Sequence, residues 1–130
     1  MNIRSLPKHK AIFQELLLEE DIHFFALNET RIPKATPLYI PRYSLLHTPG
    51  PTTAQRLCGG VALGIKPKFP YRTNILPPQF PYQEYSIATL YLKSINVTLA
   101  TVYIRPTSPL PTDFFLYIAS TYRHYFILAN

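Results

Sequence analysis

The spacing of apolar residues predicts a helix near the start of the chain. Residues 5–20 read SLPKHKAIFQELLLEE, and an apolar stripe is formed by Ile12, Phe13, Leu16 and Leu17. We expect Ser5 or Leu6 to cap this helix, with Pro7 in its first turn, where the missing N–H group costs no hydrogen bond.

Short apolar runs predict a set of strands. IHFFAL at 22–27 is nearly continuous, which is typical of a strand covered on both faces. GGVALGIK at 59–66 is predicted to be a strand entered through two glycines. EYSIATLYL at 84–92 and NVTLATVYI at 96–104 give the clearest alternation and predict a hairpin, and IPRYSLL at 40–46 is a weaker strand candidate.

The last part of the chain repeats the helix-and-strand pattern. Residues 113–124 are predicted to form a second helix, with Thr112 as its cap and Asp113 favourable in its first turn. YFILA at 125–129 follows as a strand, whereas the proline-rich residues 67–82 are predicted to be loop. This order of elements predicts an α/β fold with apolar strands sandwiched under helices.

Composition and length agree with a folded domain. The 130 residues suit one domain or part of one, and an apolar content of 47% is enough to build a core. No apolar run is long enough to span a bilayer, and the first residues lack the apolar stretch of a secretory signal. The single cysteine, Cys58, excludes an internal disulfide; we expect an intracellular protein, nuclear or cytoplasmic, with no membrane partner.

The charge balance favours a polyanionic partner. The chain has 13 Lys and Arg residues against 7 Asp and Glu residues, which gives a formal net charge of +6. Such a balance suits phosphate contacts with nucleic acid, and it fits a merely basic soluble protein equally well.

The few carboxylates can be sorted by position. Glu84 begins a strand, where a loop or cross-strand partner explains it, and Asp113 is explained by the helix start. Glu29 stands directly after a buried strand, at the end where ligands of α/β proteins collect. Both a metal or catalytic role and simple solvation in the next loop stay open for Glu29. The acids of the first helix and its end are assigned to a solvated face: Glu15, Glu19, Glu20 and Asp21.

Other chemical candidates carry no distinct signal. The four histidines, His9, His23, His47 and His124, show no metal-ligand spacing, and surface or hydrogen-bonded core positions explain them. Cys58 has no evident base beside it, so a buried thiol is expected. Tyr103 ends a strong strand, and a buried tyrosine is the plain interpretation.

Several motifs occur together and in a fixed order: NIRSL, DIHFFALNET, IPRY, RLCGGVALGIK, NVTLATVYIRP and YFILA. In this order they resemble the endonuclease domain of non-LTR retrotransposons, within the endonuclease/exonuclease/phosphatase superfamily. The resemblance runs over essentially the whole chain, and ALNET with GGVALGIK carries it best. It implies a deoxyribonuclease-like sandwich of two sheets flanked by helices.

The resemblance also implies chemistry, namely Mg²⁺-dependent hydrolysis of a DNA phosphodiester. By motif, Glu29 matches the glutamate that holds the cation, while Asn2 and Tyr103 match residues that lie near or contact the scissile phosphate. Arg56 stands where relatives often carry a basic residue, and it is expected to contact the DNA backbone together with Arg105. A hard cation prefers carboxylate oxygen, and it would polarise the phosphoryl oxygen.

The chain also departs from the family. Relatives have a strand before NIRSL, whereas only Met1 precedes Asn2 here. Relatives continue past ILA into a glycine-aspartate-x-asparagine motif, whereas this sequence stops at Asn130, either one place before that aspartate or in its place. The terminal aspartate–histidine pair is missing as well. We therefore expect residues 1–130 to be the N-terminal half of the domain, a partial four-layer α/β/β/α sandwich truncated at both ends and inactive as it stands.

Two other functions remain open. A non-enzymatic nucleic-acid-binding remnant would use basic residues such as Arg4, Lys8, Arg56 and Arg105. A phosphatase-type member of the superfamily ranks last. In the intact family a reverse transcriptase follows the endonuclease domain.

Overall fold

A computed structural model describes residues 1–33, 36–53, 56–57, 59–80 and 84–129. The two helices are α1 (Leu6–Glu19) and α2 (Thr112–Thr121). The strands are β1 (Phe24–Asn28), β2 (Ser44–Thr48), β3 (Thr52–Thr53), β4 (Arg56–Leu57), β5 (Val61–Ile65), β6 (Tyr71–Asn74), β7 (Tyr85–Tyr91), β8 (Asn96–Val102) and β9 (Tyr125–Ala129). Both helices fall short of the length and apolarity that crossing a bilayer requires.

The longer strands form two sheets. In the first sheet β5 lies between β1 and β2 and is antiparallel to both, so that Asn28 and Thr48 both face Val61. In the second sheet the order is β6-β7-β8-β9, and β9 runs parallel to β8. The predicted hairpin of β7 and β8 is confirmed, with Tyr85 opposite Val102.

The helices cover the outer faces of the sheets. Helix α1 buries Phe13 and Leu17 on the first sheet, against Leu27 and Ala62, and α2 buries Phe114 and Ile118 on the second. The sheets bury one cluster between them, formed by Leu63, Ile65, Ala88, Leu90, Val97 and Leu99. Each Leu, Ile or Val side chain of this cluster contributes about 1.5–3 kcal/mol through its removal from water. The layers are therefore helix, sheet, sheet and helix, as the sequence predicted.

Strand β6 corrects one prediction, because it lies inside residues 67–82, which were expected to be loop. It pairs only with β7, at the edge of the second sheet, and Pro70 precedes it rather than interrupting it. The strand could not be recognised in the sequence because it contains polar residues such as Arg72 and Asn74. An edge strand has one open side and needs no continuous apolar run.

Helix α1 starts as predicted, with Ser5 at the cap position and Pro7 in the first turn, whereas the ends of α2 differ from prediction. Thr112 is the first residue of α2 rather than its cap; Pro111 takes the cap position and makes no side-chain capping bond. Asp113 lies in the first turn as expected. The helix ends at Thr121 instead of 124, because Tyr122 is already extended toward β9.

The predicted stripe of α1 and the predicted burial of β1 are only partly correct. Phe13 and Leu17 are buried, but Ile12 is 71% exposed because one helix face alone meets the sheet. Strand β1 lies at a sheet edge, so Phe24 remains 38% exposed while Leu27 and Asn28 are fully buried.

Candidate functional site

The carboxyl ends of β1 and β8 meet at one side of the sandwich. Asn28, the last residue of β1, is fully buried, and its side-chain N–H group lies 3.4 Å from the carbonyl oxygen of Val102, the last residue of β8. Its Oδ1 accepts a hydrogen bond of 2.6 Å from the hydroxyl of Thr101. The residues that follow the two strands, Glu29 and Tyr103, are therefore brought to the same place.

The backbone around Glu29 is strained. Glu29 and Arg31 have φ angles of 58° and 51°, in the left-handed region that side chains other than glycine rarely adopt. The facing residues Gly59 and Gly60 also have positive φ, and their carbonyl groups accept hydrogen bonds from Arg31 and Thr30 at 3.0 and 3.2 Å. At residues other than glycine, such as Glu29 and Arg31, these conformations cost roughly 1–3 kcal/mol each and collect at functional sites.

The first residues of the chain lie beside this turn. Asn2 forms an isolated parallel bridge with Asn28, and the N–H group of Ser5 donates to the carbonyl of Glu29 at 2.7 Å. The side chain of Asn2 is engaged locally, since its Oδ1 accepts a hydrogen bond of 3.1 Å from the N–H group of Arg4. The backbone of Asn2 thus lies next to the turn of Glu29, while its side chain lines a separate shallow depression against α1.

Glu29 and Tyr103 share one groove. This groove has a volume of about 410 Å³, and its lining also includes Arg105 and Ser108. The Glu29 side chain is 19% exposed, and its Oε2 lies 3.2 Å from Nη2 of Arg31. The structure therefore brings together three of the residues singled out from the sequence, and it leaves Asn2 at the side of the groove.

Glu84 has a larger part in this site than its sequence position indicated. It is 9% exposed, and its Oε1 accepts a hydrogen bond of 3.2 Å from the N–H group of Gly60. Its Oε2 lies 3.5 Å from Nε of Arg105, and its backbone carbonyl accepts a bond of 3.0 Å from Tyr103. Glu84 thus has a cross-strand partner, as the sequence predicted, but its partners also include Arg105, which lines the groove of Glu29. An isolated acid at the start of an uncharged strand was the only signal in the sequence.

The charges around the groove are balanced in pairs, Glu29 with Arg31 and Glu84 with Arg105. Within the described residues no three His, Cys, Asp or Glu side chains come together as a ready-made metal cage. His47 lies behind the turn, 3.1 Å from the hydroxyl of Thr30, and burial lowers the pKa of its imidazole. His47 is therefore neutral at pH 7 and adds no positive charge here.

Some residues singled out in the sequence are not described. Arg56 lies on β4, but its side chain falls outside the described part of the structure. Cys58 and Asn130 lie outside the described residues, so the expected buried thiol stays a prediction.

The four layers and the order of their strands are those of a deoxyribonuclease-like fold. Known structures confirm this. The chain is similar to the endonuclease domain of TRAS1, a telomere-specific non-LTR retrotransposon, with a TM-score of 0.67 and 8% sequence identity. The match covers 100% of this chain and 56% of that domain.

A second similar structure is the 3′ phosphatase NExo from Neisseria, solved with a product DNA hairpin. Its TM-score is 0.63 at 18% sequence identity, over 99% of this chain and 55% of that one. The chain thus spans a little over half the length of both proteins. Comparison with protein-family models gives no match, and neither does comparison with curated sequences.

Proposed function

We propose that the groove beside Glu29 is the metal- and phosphate-binding part of a nuclease-type site, which in the intact family that the motifs resemble hydrolyses phosphoester bonds in DNA. One observation carries the proposal: Glu29 and Tyr103, 74 residues apart, share a groove where two strands of different sheets end. Support for DNA as the substrate comes from the similar proteins, a retrotransposon endonuclease domain and a phosphatase bound to DNA.

The donor groups fit a magnesium ion that is shared with a phosphate. Mg²⁺ is usually held by one or two carboxylates together with waters and substrate phosphate oxygens, so a closed cage of protein ligands is not needed. Glu29 supplies such a carboxylate at a partly open position. When bound, the ion would polarise the phosphoryl oxygen and stabilise the leaving oxygen.

The other residues would bind and orient the phosphate. The Tyr103 hydroxyl is a neutral donor that can bind a phosphate oxygen without repelling a cation. Arg105 would contact the DNA backbone from the rim, and Glu84 holds its guanidinium group in place. Asn2 would join them through its side-chain N–H group, since only its Oδ1 is bonded to Arg4, and Arg56 would add a further backbone contact.

We propose an endonuclease rather than a phosphatase, on the motifs ALNET and GGVALGIK. A fused reverse transcriptase remains a prediction from the same resemblance. One observation favours a second function, the binding of nucleic acid without cleavage: in the described residues no group of three His, Cys, Asp or Glu side chains could hold a metal ion.

Titration with Mg²⁺ tests the metal site directly. Binding to the wild-type protein, followed by calorimetry in the presence of a short DNA duplex, is expected to weaken at least about tenfold in Glu29→Gln. Glu19→Gln, which removes an exposed carboxylate on α1, is the matched control and should bind as the wild type does. Equal titration curves for all three proteins would remove Glu29 from the site.

Plasmid nicking then separates the two functions. Mg²⁺-dependent nicking that is lost in Glu29→Gln and in Tyr103→Phe supports the nuclease. DNA binding without nicking, with an affinity that falls steeply as salt rises, supports the binding function instead.

A further inference from the structure

A second groove lies at the other end of the second sheet. It has a volume of about 900 Å³ and is lined by the outward-facing residues of β6, β7 and β8 and by the segment after α2. Strand β8 separates the two grooves, since Tyr103 follows its last residue, whereas Asn96 and Thr98 line the second groove. Seven residues of strand span roughly 20 Å, so the two grooves are distinct sites.

The second groove exists because α2 is short. The helix has 10 residues, or about 15 Å, and its buried side chains cover the apolar half of the outer sheet face, including Ile87 and Ala100. Beyond the last helical residue, Thr121, the same face of the sheet is polar. The chain then returns through Arg123 and His124, which form the wall of the groove.

The floor of the groove is a connected set of hydrogen bonds. The side-chain N–H group of Asn74 donates to the hydroxyl of Thr89 at 2.8 Å and lies 3.0 Å from the hydroxyl of Tyr122. The hydroxyl of Thr89 is 2.9 Å from that of Thr98. These bonds fix the side chains of the floor in one arrangement, which lowers the entropic cost of binding a ligand on it.

The walls of the groove are positively charged. Arg72 and Arg123 are exposed on its two sides, and neither forms an ion pair with a carboxylate in the part of the chain that the structure describes. No Asp or Glu is among the described lining residues.

Flat apolar surface lies beside these charges. Tyr91, at the end of β7, is 42% exposed, and Ile95 in the hairpin is 44% exposed. Arginines that alternate with exposed aromatic and apolar side chains are the combination that binds single strands, in which phosphates meet the cations and bases stack on the rings.

We propose that this second groove binds a single-stranded segment of nucleic acid, with backbone phosphates on Arg72 and Arg123 and a base against Tyr91. The inference does not depend on the proposed function, because no lining residue belongs to the groove of Glu29. A nucleic acid that reaches both grooves would be bound near both ends of β8.

Binding of a fluorescent 12-nucleotide DNA single strand tests the proposal. Arg72→Ala/Arg123→Ala should weaken binding about tenfold or more and reduce the slope of log affinity against log salt by about 1.4, which corresponds to two lost phosphate contacts. The matched control, Lys10→Ala/Lys68→Ala, removes the same charge outside the groove and should keep the wild-type slope. Equal losses in the two double variants would overturn the proposal, since they would show a diffuse charge effect.

Two further measurements keep the test independent of folding defects. Tyr91→Leu should weaken binding of the oligonucleotide but not of inorganic polyphosphate, which has no bases; equal weakening of both ligands would exclude stacking on Tyr91. Photo-cross-linking of a 5-bromouracil oligonucleotide to the wild-type protein should label peptides that contain Tyr91 or Tyr122. Labelling that is confined to peptides around Tyr103 would overturn the second site.

Discussion

The two grooves each have a hydrogen-bonded Asn–Thr pair, but in different surroundings. Beside the first groove Asn28 and Thr101 are fully buried and join the two sheets. On the floor of the second groove Asn74 and Thr89 are bonded across β6 and β7, half-buried on an open face. A buried polar pair fixes geometry because neither partner can turn to water, whereas an open pair can exchange its bonds with a ligand.

The backbone shows the same contrast. Positive φ angles occur at Glu29 and Arg31 and, in the neighbouring N-terminal segment, at Arg4 and Ser5, as well as at Asp21 and Arg42 elsewhere in the chain. None of the residues described as lining the second groove has a positive φ. The first site is therefore held in a strained arrangement by its neighbours, and the second is built on regular strands. Substitutions should therefore lower the free energy of unfolding more around the groove of Glu29 than around the second groove.

The largest effect is expected for Gly60→Ala. Gly60 has a φ of +90°, and a Cβ atom there would lie 2.3 Å from the hydroxyl oxygen of Thr30, which is buried. Strain and overlap together should lower the free energy of unfolding by about 3 kcal/mol or more. Urea denaturation measures the loss, and Ser94→Ala in the second groove should stay within about 0.5 kcal/mol. Similar losses of unfolding free energy in Gly60→Ala and Ser94→Ala would contradict the contrast between the two grooves.

A smaller effect is expected for the two Asn–Thr pairs. Asn28→Ala leaves the buried hydroxyl of Thr101 without the amide oxygen that accepts its bond, and it should cost about 2 kcal/mol. Asn74→Ala should cost less than about 1 kcal/mol, because water can replace the lost bond.

Double-mutant cycles isolate the two pairs. Asn28→Ala with Thr101→Val should give a coupling energy of about 1 kcal/mol or more, and Asn74→Ala with Thr89→Val a coupling near zero. A larger coupling for the open pair would show that burial does not distinguish the two pairs.

The pH dependence of stability tests His47, which lies behind the turn of Glu29 and is bonded to Thr30. Burial lowers the pKa of His47 from 6.5, so the folded protein binds this proton less readily than the unfolded chain does. Stability is then fully present above pH 6.5 and decreases as the pH falls below that value, until the folded protein also takes up the proton. Thermal melts between pH 7 and 5 should show this decrease in the wild type and a weaker one in His47→Gln.

The matched control for His47 is Thr30→Val, which removes the hydroxyl partner but keeps the buried imidazole. It should keep the wild-type pH dependence, because burial is the cause of the lowered pKa. A pH dependence that is unchanged in His47→Gln would assign the effect to other groups.

Much of the fold could be predicted from residue periodicity, because helices and central strands each bury one regular face. Both helices and the hairpin of β7 and β8 were predicted in this way. The edge strand β6 was not predicted, because half of its side chains face water and prolines stand on both sides of it. Local pattern cannot distinguish such a strand from a loop.

The site was less predictable, for a physical reason. Glu29 could be singled out because it directly follows an apolar strand, and the resemblance added Tyr103. Arg105 reaches Glu84 through the register of the β7–β8 hairpin, but Gly60, which precedes β5 of the other sheet, is brought to Glu84 only by the packing of the two sheets. The polar floor of the second groove depends on where α2 ends, and that boundary differed from the prediction.

The smallest change in stability, with a defined change in binding, is expected for Arg31→Gln. The pair of Arg31 with Glu29 is 44% and 19% exposed, and ion pairs this open contribute less than about 1 kcal/mol. Unfolding should therefore change by no more than about 0.5 kcal/mol. In the proposed site, however, Arg31 competes with a cation for the same carboxylate. Its removal should raise the affinity for Mg²⁺ by roughly twofold, the equivalent of about 0.5 kcal/mol.

Arg123→Gln is the control for this competition, because it removes the same charge in the second groove. Charges separated by more than a Debye length, about 8 Å at physiological salt, are largely screened, so this variant should keep the wild-type affinity for Mg²⁺. Calorimetric titration at constant ionic strength distinguishes the two variants. An equal rise in both would mean that the net charge of the protein, and not a contact with Glu29, controls access of the cation to the groove.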